Sequence, residues 1–463
     1  MFFIRRKKNR VSHPFTEEKE IDEVNAEETN TSFVLGVEDV FKLLNEQDNV
    51  IVGNVVGTVH KGEAVYISNP GSDQDEIILT TIVGIELKPG MVVEKATNCP
   101  VGLKIQNGSQ YPLRKGSVLF TKASSSKDVQ DVYINTLANV YVKNQKLELS
   151  DKELKGMSIT DCAEVWRIYT LLQSDSTKEE STEEKECRRR RIDRLAKSLC
   201  EKVLKAELIY CIYNKETGEP HMFSKTVLHG DGYLCTPPDI RIITKAYLDK
   251  VKKFFPEDRF EIKPIVNGEA GDGIYNFLGS TFYLNGACGI QILFEQVSIA
   301  NQMFVPEPDY SHTPKQNIPV TNPDLERWQL LLGQLGEPEG EDQKTIYKLY
   351  YRFMARELVK ADLLIPMRKD GEFPEPDNNG KSVLKKDMSI HFPTMEGKND
   401  RPAVYMFTDW KRLRMDYDES WEGMVQSVEG MIGVFDCAIN ATQYPKAGSY
   451  IGKELFEGMK QIK

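Results

Sequence analysis

Long apolar runs are missing from this 463-residue sequence. No stretch approaches about 18 consecutive apolar residues, so no segment reads as a membrane-spanning helix. The opening MFFIRRKKNR places its apolar residues ahead of Arg5, Arg6, Lys7 and Lys8. A secretory signal has the opposite order, and the expectation is a cytoplasmic protein without a membrane partner. Close cysteine pairs are also absent. Cys99, Cys162, Cys187, Cys200, Cys211, Cys235, Cys288 and Cys437 form no CxxC, which argues against a zinc site or redox dithiol and for scattered buried thiols. Histidine is scarce: His13, His60, His221, His229, His312 and His391 include no pair at the three- or four-residue spacing of a helical metal site. Positive charge is in deficit, with a net charge of -10, a poor basis for binding driven by phosphate neutralisation. The run Arg188–Arg191 is a local exception. The acidic Glu179–Glu186 precedes it, and together they read as a solvated, self-neutralising linker helix.

Catalytic signatures are missing too. The one Gly-Lys-Ser, Gly380-Lys381-Ser382, has Glu375 where a phosphate loop requires glycine, and Pro374 and Pro376 replace the strand that should lead in. The chain is therefore expected not to bind GTP. No Gly-x-Ser-x-Gly elbow occurs. The Gly-rich stretch Asn267–Ser280 lacks the dinucleotide order and reads as a connection between strands. Thr408-Asp409 stands at a strand-to-helix corner, where capping of the helix that follows explains it better than catalysis. Glu207 and Asp362 fall at helix-to-strand junctions, where exposure is expected. The reading is that the protein is not an enzyme: no catalytic, cofactor-binding or metal residue is assigned, and no cofactor is implied.

What is present is organised in blocks, and the length suggests two to four domains. Residues 1–32 are charged and poor in aromatics after the first few, a disordered acidic leader. Residues 33–123 are rich in Val, Ile and Gly, with turns at Asn69-Pro70-Gly71, Lys88-Pro89-Gly90, Gln106-Asn107-Gly108 and Arg114-Lys115-Gly116. Short strands at this spacing predict a small all-β barrel. Within it, GNVVGTVHKGEAVYI (Gly53–Ile67) reads as a hairpin turning at Lys61-Gly62, and ASSSK (Ala123–Lys127) as the linker that ends the barrel.

Beyond the linker one order of elements occurs twice. Trp166 in CAEVWRIYTLLQ and Trp328 in DLERWQLLLGQL each lie in a helix followed by an acidic break, Ser174–Glu186 and Gly336–Gln343. A long amphipathic helix comes next. Its apolar stripe is Ile192, Leu195, Leu199 and Val203 in the first case and Tyr347, Tyr350, Met354 and Leu358 in the second. LKAELIYCI (Leu204–Ile212) then matches VKADLLIPM (Val359–Met367), and IRIITKAYL (Ile240–Leu248) matches VYMFTDWKR (Val404–Arg412). LFE recurs at Leu293 and Leu455, read as part of a final helix in each case. The fold class expected is multidomain: the barrel, then two duplicated α+β domains at 127–318 and 319–463.

Two resemblances follow from these words. VEDVF, NVIVGNVVGTVHKGEAVYI, TTIVGIEL, CPVGLKIQN and LRKGSVL occur in the order seen in domain 2 of elongation factor Tu and its relatives, which the barrel resembles. ARELVKADLLIPM, PAVYMFTDWKRLRM and IGVFDCAINA resemble the SseB (enhanced serine sensitivity) family, with CEKVLKAELIYCIY a more divergent first copy. Family members commonly carry Asn-Pro where this chain has Asn440-Ala441. The resemblances imply a non-catalytic interaction or regulatory protein with protein partners, the barrel acting as a docking module. The alternative is a translation-associated accessory factor touching tRNA or the ribosome through the barrel. Against that, residues 33–123 carry 8 Lys/Arg and 10 Asp/Glu. Which surfaces bind, and the oligomeric state, are not legible.

Overall fold

The computed structural model describes residues 32–42, 47–143, 149–175, 181–230, 232–370, 389–397 and 400–462. The acidic leader, apart from Ser32, and the loop around Glu375 and Gly380-Lys381-Ser382 lie outside the described residues. Two compact units divide between residues 147 and 148.

The first unit holds β1 (Phe33–Lys42), β2 (Asn49–His60), β3 (Ala64–Ser68), β4 (Ile78–Glu86), β5 (Val92–Val93), β6 (Lys95–Thr97), β7 (Pro100–Ile105) and β8 (Val118–Phe120). The order β1-β8-β3-β4-β7-β2 returns to β1 through antiparallel pairing, which closes a six-strand barrel; β5 and β6 extend β4 and β2. Alternation decides the faces. In β2, Ile51 and Val55 point into the core while Asn54 and Val56 face out. All four predicted turns fall outside the strands.

The predicted hairpin is corrected. The Lys61-Gly62 turn exists, with Gly62 at φ +83°, but β2 pairs with β1, β6 and β7, whereas β3 pairs with β4 and β8. Alternating residues specify which face is buried, not which strand lies alongside. The first unit also runs past the expected linker. Ser125 caps α1 (Ser126–Ala138), accepting the Asp128 N–H at 3.2 Å, while Asp128 accepts the Ser125 N–H at 3.1 Å. This helix lies on β1, whose residues Phe33–Val37 are consequently buried on both faces. A side chain at Gly36 would collide with Thr136 Oγ1, so glycine there lets the helix seat.

The second unit begins with α2 (Asp151–Gly156), α3 (Ile159–Asp175) and α4 (Thr182–Lys205). They lead into β9 (Leu208–Asn214), β10 (Met222–Phe223), β11 (Thr226–His229), β12 (Gly232–Cys235) and β13 (Asp239–Ile243). Then come α5 (Lys245–Lys252), β14 (Phe260–Val266), α6 (Gly273–Tyr283), β15 (Gly289–Ile292) and β16 (Ser298–Ala300). The sheet order is β14-β9-β13-β15-β16, with β13 and β15 parallel and the other pairs antiparallel.

The remainder comprises α7 (Pro323–Leu335), α8 (Glu341–Lys360), β17 (Asp362–Asp370), β18 (Ser389–His391), β19 (Thr394–Met395), β20 (Ala403–Met406) and α9 (Trp410–Asp416). It ends with β21 (Glu422–Ser427), α10 (Val428–Ile432), β22 (Asp436–Ile439), β23 (Ser449–Ile451) and α11 (Lys453–Lys460). Strand β21 pairs with β17. Leu364 and Phe407 exchange N–H···O bonds of 2.8 Å that bring β17 beside β20, and β20-β22-β23 completes the order. Only β20 and β22 in that path are parallel. Its core gathers Met354, Leu358, Leu363, Ile365, Val404, Met406 and Phe456, with Trp328 packed against it.

The predicted stripes are largely buried: Leu195, Leu199 and Val203 on α4, and Tyr350, Met354 and Leu358 on α8. Tyr347 is not; it is 37% exposed because it lies in the first turns of α8. The Arg188–Arg191 run belongs to this packed α4 rather than to a linker, and Arg191 is buried with its guanidinium over the Tyr169 ring. The Gly-rich Asn267–Ser280 leads from β14 into α6, not from strand to strand, because Asn267 accepts the Ile274 N–H and starts that helix. LFE at Leu293 is not helical: it is a turn after β15, with Leu293 at φ +59°. At Leu455 it lies in α11.

Candidate functional site

A dense buried polar group in the second unit forms where α7, α9 and three loops meet. It starts from the strand-to-helix corner that the sequence marks. Asp409 accepts the Arg412 N–H at 3.0 Å and so caps α9. That cap fixes Arg412 in the first turn, with its side chain pointing inward and 2% exposed. The guanidinium meets Asp409 Oδ2 at 2.5 Å and Glu326 Oε1 of α7 at 2.8 Å, and donates to Asn285 Oδ1 at 2.9 Å. Glu219, on the loop after β9, stands 3.5 Å from it and accepts from Lys411 Nζ at 2.9 Å.

A second layer holds the acids in place. Asn440 follows β22 at φ +48°, a conformation that asparagine tolerates better than most residues. Its Nδ2 donates to Glu326 Oε2 at 2.7 Å, and its Oδ1 accepts the Thr408 N–H at 3.0 Å. Thr408 Oγ1 donates to Glu326 Oε2 at 3.2 Å.

Burial and charge pull these groups apart. Burial is the larger influence on Glu326 and pushes its carboxyl up to about 7, with Asp409 and Glu219 adding to the rise against the pull of Arg412. For Glu219 burial acts upward as well, but Lys411 and Arg412 overcome it and hold the carboxyl below its ordinary value. Arg412 is kept protonated by Glu326, Asp409 and Glu219 against its own burial.

A carboxyl titrating near 7 could in principle move a proton. The cavity on the Glu219 side of the cluster, bounded by Thr217, Glu219, Arg412, Asn440 and Tyr444, measures about 20 Å³, room for roughly one water molecule. The surroundings are closely packed. A side chain at Gly218 would strike the Tyr444 ring, and one at Gly333 would strike the Lys446 carbonyl. Glu219 and Asn285 come from loops of the first sheet region, and Glu326, Asp409, Arg412 and Asn440 from the second. The cluster can therefore clamp one region to the other.

The other sequence candidates are dispersed. His221 is half-buried, its ring edge-on to those of Phe223 and Phe260, and desolvation, then Arg259 and Arg241, push its imidazole down to about 4. His229 ends β11, His391 lies in β18 beside Ser389, and Glu207 and Asp362 are exposed as expected. His13 lies outside the described residues. Among the described residues no cysteine is bridged, no three His, Cys, Asp or Glu groups are arranged for a metal ion, and no helix is long and apolar enough to cross a membrane. Sequence reasoning did not single out Glu219, Asn285, Glu326 or Arg412. Two signals were available: a glutamate two residues before Trp328 on an apolar helix face, and an arginine three residues after a capping aspartate.

Residues 349–431 match the SseB protein N-terminal domain. The match runs from within α8 into α10, so it takes in β17, β20, the Thr408-Asp409 corner and α9. Among solved structures the chain is similar to GDP-bound aIF5B from Aeropyrum pernix, at 9% identity and a TM-score of 0.17; the alignment covers 44% of this chain and 49%, about half, of that one. No curated protein matches.

Proposed function

We propose that the protein is a non-catalytic interaction protein in which a barrel akin to domain 2 of elongation factor Tu precedes two copies of one SseB-type domain. The charge cluster carries this reading. Its adjoining cavity has room for about one water molecule, and its bonds join the two sheet regions. Duplication is supported by details that need not have agreed. Both regions follow one strand order with one parallel pair in the same place. Glu164 and Glu326, each two residues before a tryptophan, are both buried, and each bonds to the third residue of the helix after the Thr-ending strand: the Tyr247 hydroxyl in one, Arg412 in the other. The match at 349–431 supports the assignment of the second copy.

Two similar domains held rigidly offer two related surfaces, and the barrel adds a third for docking. The barrel's deficit of basic residues weighs against an RNA contact there. A pull-down from extract with the full chain, with and without nuclease, tests the proposal. A protein partner that survives nuclease and is lost when residues 32–143 are deleted is expected. Capture only of ribosomes or tRNA, abolished by nuclease, would overturn it.

A further inference from the structure

We propose that the groove between α2 and α4 binds a nucleic-acid duplex through its backbone phosphates. This groove lies in the second unit, away from the charge clamp, and is an open cleft of about 880 Å³. Arg194, Lys197, Lys202 and Lys205 line it from α4 and Lys155 from α2, against two carboxylates, Asp151 and Glu201. In a chain with a net charge of -10, five cations turned toward one cavity are a concentrated exception. Asp151 pairs with Arg194 at 2.5 Å. Lys155, Lys197, Lys202 and Lys205 make no ion pair among the described residues.

The α4 residues recur at helical steps and share one face. From Arg194 to Lys205 that face extends ~16 Å, enough to follow about four phosphates of one duplex strand. The lining also favours a duplex over other polyanions. Among the described residues no aromatic side chain borders the groove, which leaves unpaired bases no stacking platform there, and Leu154 is the one apolar wall residue among them to anchor a protein segment. Lysine, arginine and the Ser198 hydroxyl are phosphate donors without base selectivity. Lysines in a last helical turn also offset the helix dipole, which accounts for Lys155, Lys202 and Lys205 singly. It does not account for their facing one void together with Arg194 and Lys197, which lie mid-helix.

The test is fluorescence anisotropy of the full chain with a labelled RNA duplex of about 20 base pairs, over about 50–200 mM salt. The wild type should bind at the low end, with log affinity falling against log salt at a slope of about -3. Lys197→Ala with Lys202→Ala should weaken binding at least ~10-fold and reduce the slope by about 2. Lys348→Ala, an exposed position on α8, should change neither. All three lysines lie on the helix surface, and unchanged circular dichroism would establish that the variants are folded. No duplex binding at low salt, or binding that survives the double substitution, overturns the proposal. Equal binding of a polyglutamate peptide with the same lysine dependence would overturn the choice of nucleic acid and assign the groove to an acidic protein segment.

Discussion

Leu293 and Asn440 take the same step at the ends of β15 and β22. Each is the residue immediately after its strand, each has a positive φ (59° and 48°), and each donates its N–H to the neighbouring parallel strand, to Ile242 at 3.0 Å and Met406 at 2.8 Å. A leucine is an uncommon occupant of that conformation. The side chains then diverge in use. Asn440 reaches Glu326 and Thr408 in the charge cluster, whereas Leu293 is buried apolar surface.

Asn440 supplies a check on that division of labour. Asn440→Ala removes the bond to Glu326 and places a residue with no αL tolerance at φ +48°, whereas Asn440→Gly removes the same bond and keeps the conformation. The alanine variant should be less stable by about 1 kcal/mol than the glycine variant, read as a shift in denaturant midpoint. Equal stabilities would mean the backbone step carries no strain.

Stability against pH draws on two groups with shifted titration, the buried Glu326 and the half-buried His221. Glu326 titrates near 7 in the fold against an ordinary 4.5. The fold binds that proton more tightly than the unfolded chain, so its contribution is complete below about pH 4.5 and is lost as pH rises through about 7. His221 acts oppositely: lowered from 6.5 to about 4, it contributes above pH 6.5 and loses that contribution as pH falls toward 4. Glu326→Gln should remove the decline between pH 4.5 and 7 and leave stability rising with pH there. An unaltered pH profile of the melting temperature would contradict the placement of Glu326.

The tryptophans differ in burial and should differ in cost. Trp166 is 8% exposed, and Trp166→Ala should destabilise by about 3–5 kcal/mol. Trp328 is only partly buried, its ring 4.5 Å from that of Phe353 on α8, so Trp328→Ala should cost about 2–3 kcal/mol. The two effects should add in the double variant. A larger loss at Trp328 than at Trp166 would reverse the order of burial.

The barrel needs its helix. Tyr133 and Leu137 of α1 are fully buried, and a side chain at Gly116 would lie against both. A fragment of residues 32–143 should unfold at a higher denaturant concentration than one of residues 32–123, and Tyr133→Ala in the longer fragment should cost about 3–5 kcal/mol. Equal midpoints would restore the linker at Ser124 as the domain boundary.

Much of the barrel was legible because alternation and turn residues are local signals. Which strands pair is not local, and the Lys61-Gly62 turn misled for that reason. The first turn of α1 was legible and overlooked: Ser125 and Asp128 form a capping box inside a serine-rich stretch that looked like linker. The recurrence of Lys-Ala-acid-Leu marked β9 and β17 correctly because it joined a helix end to a strand start, two kinds of pattern at once. LFE, three residues long, carried no such constraint and matched a turn with a helix. The charge cluster was nearly illegible. Glu219 and Lys411 are separated by 192 positions, and nothing near either residue announces the other.

The direct test of the clamp is Arg412→Leu in the full chain, followed by equilibrium denaturation at pH 8. Removing the guanidinium leaves Glu219, Glu326 and Asp409 buried without their shared cation, and the predicted cost is about 3–5 kcal/mol in the transition of residues 149–462. A change below about 0.5 kcal/mol would contradict the account, because a cluster that can lose its cation without consequence is not what holds the two sheet regions together.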